Sequence, residues 1–260
     1  MPALLCLENP LLDVRALGNQ ELLDRYGLKA NDAILAESSH QGLFDDLIKN
    51  FAAETTAGVG ASEAAPDLVE SSQVYFVGGY HLTVCPEAGL ALAEEAAAKN
   101  KIYVMSLSAP FIPVAFKDAL DKTEPYSDYF VGNESEALAW AQSHGLETED
   151  IPTIADHLAN LPKANVNRPR IVLITQGSSP TVVAISGTPG HEDIPIRTIS
   201  AAEIIDTTGA GDAFAGGLLA GIVQQKPLKT SVDMGHWLAH LGIQQMGPNY
   251  PLPKQSLTPV

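Results

Sequence analysis

A chain of 260 residues can bury a sizeable core, and 45% hydrophobic with 18% charged residues is a globular composition, not a disordered one. The formal charge of −16 excludes the basic face that a nucleic acid would need, so an anionic ligand must be held by local groups and not by a long-range field. No apolar run reaches the length of a membrane span, no basic secretory leader precedes the first strand-like run, and Cys6 and Cys85 suit free thiols in a reducing compartment.

In chain order, residues 3–8 read as a buried strand ended by Asn9 and Pro10. A helical pattern follows over 19–26, with Leu22, Leu23 and Tyr26 on one face, then a short apolar run at 33–36. Residues 43–51 form an amphipathic pattern, whereas 52–66 carry no large apolar side chain beyond one Val and read as loop. Strands are expected at 74–77, 102–107, 129–131 and 171–175, and 181–186 pairs back from a turn at 178–180. Helices are expected at 87–99, 111–120, 133–143, 154–161, 211–224 and 228–245. Unbroken apolar strands alternating with helices predict an α/β fold, with a doubly wound, mostly parallel sheet covered by helices on both faces.

The stretch Asp206-Thr207-Thr208-Gly209-Ala210-Gly211-Asp212-Ala213-Phe214 carries the chemistry. A Gly-rich turn opening a helix presents backbone N–H groups and the positive end of the helix dipole to a phosphate or a developing oxyanion. Asp212 falls in the first turn. A carboxylate there is either a helix-stabilising charge or a general base beside a phosphoryl group. Transfer of a phosphoryl group to a hydroxyl uses both parts. Ligands in such sheets bind beyond the strands' carboxyl ends, where Asn9, Asp13, Asn133, Glu136, Thr175, Gln176 and Gly177 also fall. Each has a plain reading as well: an Asx turn at Asn9, an N-cap at Asn133, a turn glycine at Gly177.

Residues 204–217, with that turn at their centre, resemble the C-terminal signature of the ribokinase-like carbohydrate kinases. Asn9-Pro10-Leu11-Leu12-Asp13, Leu82-Thr83-Val84-Cys85-Pro86-Glu87, Leu107-Ser108-Ala109-Pro110-Phe111-Ile112, Gly132-Asn133-Glu134-Ser135-Glu136-Ala137 and Thr175-Gln176-Gly177 resemble adenosine kinases, in that family's order. The resemblance implies a single ribokinase-like domain over 1–260 and a purine-salvage reaction, ATP and adenosine giving AMP and ADP. It implies Asp212 as base, with Gly209, Ala210 and Gly211 as the anion hole. Asn9 and Asp13 would hold the ribose, and Phe111 with His81 or Tyr80 would line the purine pocket. Thr175, Gln176, Gly177, Thr208 and His236 fall on the nucleotide side, and Asn133 and Glu136 would organise Mg²⁺, partly through water. His236 reads equally as a surface or satisfied core histidine. The partners are then small molecules, the location cytoplasmic or nuclear, and the state monomeric unless exposed sheet edges associate.

The chain also departs from that pattern. Adenosine kinases carry a Gly-Gly motif, further strand–helix units and a β-lid where this chain has only 52–70, with Gly58 as a remnant. Thr208 stands where Asn is usual and Ala33 where a polar lid residue is expected. A missing lid would weaken adenosine binding. The alternatives are a nucleotide-binding remnant of impaired activity and another nucleoside or sugar kinase of the same fold.

Overall fold

The computed structural model describes residues 4–7, 12–15, 19–29, 37–40, 42–43, 46–47, 54–57 and 66–257. Asn9, the run at 33–36 and most of the helix expected at 43–51 lie outside them.

The main sheet has seven strands: β1 (Leu4–Leu7), β4 (Val74–Gly78), β5 (Ile102–Ser106), β6 (Tyr129–Asn133), β7 (Ile171–Gln176), β8 (Ser179–Ile185) and β9 (His191–Ile194), in that spatial order. From β1 to β7 each neighbour runs parallel; β8 and β9 turn back antiparallel. Side chains alternate across this sheet with the two-residue period of a strand. Tyr75, Val77, Tyr103, Met105, Phe130, Val172 and Ile174 enter one core. Val74, Phe76, Val104, Val131 and Leu173 enter the other. Both faces are buried, which is why these strands read as continuous apolar runs.

The first core is covered by α3 (Pro86–Ala98), α4 (Ile112–Ala115), α5 (Lys117–Thr123), α6 (Glu134–Ser143) and α7 (Ile151–Ala159). The second is covered by α8 (Ala210–Val223) and α9 (Leu228–Gly242). These two helices pack at very short range because their contact is made of glycines. A Cβ on Gly217 would lie 2.3 Å from the Met234 carbonyl oxygen, and one on Gly235 2.8 Å from Phe214. Buried Arg170 ties the first layer together below the strands. It donates to the carbonyl oxygens of Leu158, Leu161, Glu124 and Pro162 at 3.0–3.1 Å.

Two expectations need correction. The helix expected at 111–120 is two helices, because Phe116 leaves helical geometry (φ −118°, ψ 27°) and turns its ring edge-on to Phe111. The loop expected at 52–66 contains strand β3 (Glu54–Ala57), which pairs antiparallel with β2 (Leu12–Arg15) as a separate ribbon. α1 (Gln20–Tyr26) is capped by Asn19, which accepts from the Leu22 N–H, and α2 (Pro66–Ser71) leads into β4. Among the described residues no helix is long and apolar enough to cross a membrane.

Candidate active site

The parallel strands end on one edge of the sheet, and their exits lie side by side. Asn133, last residue of β6, stands in register with Thr175 on β7. Gly78 on β4 stands beside Ser106 on β5, and the N–H of Gly79 donates to Ser108 Oγ at 2.8 Å. The chain crosses so closely there that a Cβ on Gly79 would lie 2.3 Å from the Leu107 carbonyl oxygen.

Gly209 ends the approach to α8 at φ +77°, the left-handed conformation that glycine adopts without strain. Ala210 opens the helix, and open space surrounds the position a Cβ would take on Gly211. First-turn N–H groups of a helix lack intrahelical acceptors; the Ala210 N–H donates instead to the Thr207 carbonyl oxygen at 3.1 Å, and the other N–H groups of the turn are the ones that can receive an anion. Asp206 braces it: Oδ1 accepts the Thr208 N–H and Oδ2 the Gly247 N–H, both at 2.9 Å. Asp212 is exposed in the first turn.

At the start of α6, Asn133 and Glu136 form a reciprocal capping box. Asn133 Oδ1 accepts the Glu136 N–H at 2.9 Å, while the Glu136 carboxylate accepts the Asn133 N–H at 3.0 Å and Nδ2 at 2.8 Å. Burial pushes the Glu136 carboxyl up to about 7, and the charges of Glu134 and Asp212 push the same way. Asp212 is thus an electrostatic neighbour of Glu136. A buried carboxylate among like charges suits a divalent cation. Because both its oxygens already accept hydrogen bonds, water-mediated contact is the mode that fits Mg²⁺ here.

A cavity of about 680 Å³ lies beside the turn, lined by Thr175, Gln176, Gly177, Ala210, Gly211, Phe214 and His236, among others. That volume is in the range of small-molecule sites. His236 is buried; its Nε2 pairs with Thr181 Oγ1 at 2.8 Å, its ring tilts against Phe214, and burial holds its pKa below the ordinary value. The histidine is therefore both a satisfied core residue and part of the cavity wall. Thr208, Gly209 and Asp212 adjoin the cavity's lining residues in sequence without lining it themselves, and Thr207 does line it.

The substrate-side residues are less gathered. Asp13 stands on β2 opposite Thr56, with its side chain outside the described part, as is all of Asn9. Phe111 is partly buried and meets Tyr80 at 6.0 Å between ring centroids. His81, 1% exposed, turns instead toward Gly89 on α3, so of the two sequence candidates Tyr80 is the one that meets Phe111.

Sequence reasoning missed the cavity's other wall: Ile196, Arg197, Thr198, Ile199, Ala201 and Ile204. Arg197 is fixed there by a two-pronged pair with Asp233 at 3.0 and 2.6 Å. It also missed that His236, Ala239 and His240 share one face of α9 with Ile243 at its C-cap, although their spacing of three and four residues carried that signal.

A parallel sheet whose exits carry a helix-start anion turn, a carboxylate beside it and a ligand-sized cavity is built as a small-molecule kinase is built. Residues 25–255 match the pfkB family of carbohydrate kinases, and the chain belongs to that family. Within the family, it is 34% identical to the adenosine kinase of Schizophyllum commune, over 96% of this chain and 97% of that one. It is 42% identical to the adenosine kinase of Saccharomyces cerevisiae over 192 residues, 73% of this chain and 55% of that one. Its fold is similar to Anopheles gambiae adenosine kinase in complex with P1,P4-di(adenosine-5) tetraphosphate (TM-score 0.87, 30% identity, 94% of this chain and 96% of that one). It is also similar to Schistosoma mansoni adenosine kinase in complex with 2-fluoroadenosine (TM-score 0.88, 25% identity, 95% and 97%). The first of these alignments runs over 335 positions against 260 residues here, so at least 75 positions, the difference, have no counterpart in this chain.

Proposed function

We propose that the chain transfers the γ-phosphoryl group of ATP to the 5′-hydroxyl of adenosine, giving AMP and ADP. The observation that carries this reading is the cavity joining Thr175, Gln176 and Gly177 to Ala210 and Gly211, with Asp212 in the next position of the same helix turn. Asp212 accepts the proton of the attacking hydroxyl. The N–H groups of the turn at 209–211 take up charge on the transferring group. Thr175, Gln176, Gly177, Thr208 and His236 belong to the nucleotide side, and Asn9, Asp13, Phe111 and either Tyr80 or His81 to the nucleoside side. Asn133 and Glu136 would hold Mg²⁺, partly through water, and the ion would supply neutralisation of phosphate charge. The rest of the proposal is a single domain over 1–260, monomeric, in a cytoplasmic or nuclear setting, with the missing positions falling near 52–70.

One observation favours a second reading. The 75 or more unmatched positions are enough to remove a lid, and a chain without one binds nucleotide while turning over poorly. Formation of AMP from adenosine and ATP, measured beside ribose and inosine as acceptors, decides between them. AMP formation confined to adenosine supports the first reading. Transfer to ribose alone makes the chain a sugar kinase, and ATP binding without any transfer makes it a nucleotide-binding remnant.

A further inference from the structure

The cavity-facing side of α9 carries two histidines one turn apart, and they differ in state. His236 is paired with Thr181. His240 has a buried Nδ1 with no hydrogen-bond partner among the described residues. The neighbouring carboxylate of Glu203 is committed to Ser200, whose N–H it accepts at 3.1 Å. A buried ring nitrogen without an acceptor is least costly as a bare lone pair, because a proton there would be an unsatisfied donor. The proton of the neutral ring then sits on Nε2, and that nitrogen is the one left to donate to a ligand. His240 lines the cavity together with Ile199, Ala201, Ile204 and Ile243. Arg197, the cation of the same wall, is already paired with Asp233, so beside His240 these apolar side chains and one in-plane donor suit a flat heteroaromatic base better than a phosphate.

We propose that His240 contacts the base of the nucleoside triphosphate in this cavity, its Nε2–H donating to a ring nitrogen of the purine. The inference rests on the nucleotide reading of the cavity and adds the residue that reads the base. His240 takes no part in the transfer step; it sets affinity for the base-bearing ligand.

Titration calorimetry on the full chain with ATP and, separately, with inorganic tripolyphosphate tests it, using the unsubstituted protein, His240→Leu and His240→Gln. His240→Leu should weaken ATP about tenfold and leave tripolyphosphate within about twofold, because only ATP carries a base. His240→Gln keeps an N–H donor and should stay within about threefold for ATP. An ATP affinity unchanged by His240→Leu overturns the proposal. So does an equal loss for both ligands, or a His240→Gln variant as weak as His240→Leu. Ring ¹⁵N shifts of His240 in the unsubstituted chain give a reading that depends on no variant: they should move with ATP and not with tripolyphosphate, and any other pattern overturns the contact. Absence of ATP binding by the unsubstituted chain overturns the nucleotide reading itself and this proposal with it.

Discussion

Asp212, in the first turn of α8, lies close enough to Glu136, in the first turn of α6, for its charge to act on the Glu136 carboxyl. Burial is the larger cause, and together they hold that carboxyl up at about 7. Two acids contributed by separate helices therefore act on each other electrostatically beside the anion turn.

This pairing predicts a pH dependence of stability. The folded chain keeps a proton on Glu136 that the unfolded chain has already lost, so the stabilisation is complete below the unfolded value near 4.5 and is lost as pH rises through about 7. The loss is on the order of 3 kcal/mol. Chemical unfolding between pH 5 and 8 should show this decline in the unsubstituted chain and a much flatter profile in Glu136→Gln. Superimposable profiles would mean that Glu136 titrates normally.

Asp212→Asn should lower phosphoryl transfer by about 10²- to 10⁴-fold while ATP affinity changes little, because the amide keeps the shape of the turn but cannot accept a proton. Single-turnover kinetics with a parallel ATP titration checks this. A loss smaller than about tenfold would remove Asp212 from the role of base.

Asp206→Ala should destabilise the chain by about 1–3 kcal/mol, because the N–H groups of Thr208 and Gly247 both lose their acceptor. Asp206→Asn keeps one carbonyl oxygen and should fall between the two. Equilibrium denaturation of the three proteins reads the order, and an alanine variant as stable as the parent would show that the turn does not depend on this brace.

ATP should bind more tightly than adenosine. The turn at 209–212, the Asn133–Glu136 box and the strand exit at 175–177 are assembled, whereas a nucleoside site without a full lid buries less purine surface, and each 1.4 kcal/mol lost costs tenfold in affinity. Separate calorimetric titrations settle it; micromolar adenosine binding with no detectable ATP binding would place the damage on the other half of the site.

Much of this architecture is written locally. The short, β-branched-rich apolar runs within Val74–Gly78, Ile102–Ser106 and Ile171–Gln176 read as strands buried on both faces, and their alternate side chains do enter two apolar cores. The anion turn is equally local: glycine is needed at Gly209 by its own backbone angle, and the helix behind it follows from the spacing of Phe214, Leu218 and Ile222. Asn133 and Glu136 carry the capping pattern in their spacing. What tertiary structure alone decided depends on segments far apart in the chain. The β2–β3 ribbon joins Asp13 to Thr56 through long-range backbone pairing, which no local hydrophobic pattern announces in so polar a segment. Tyr80 rather than His81 meets Phe111 because the short helical turn Gly79–Thr83 rotates the histidine into the core. His240 becomes a cavity residue because Ile199, Ala201 and Ile204, from a separate segment, line the same space. A cavity is the space between elements, and its walls are set by how those elements pack, not by the preferences of any one of them.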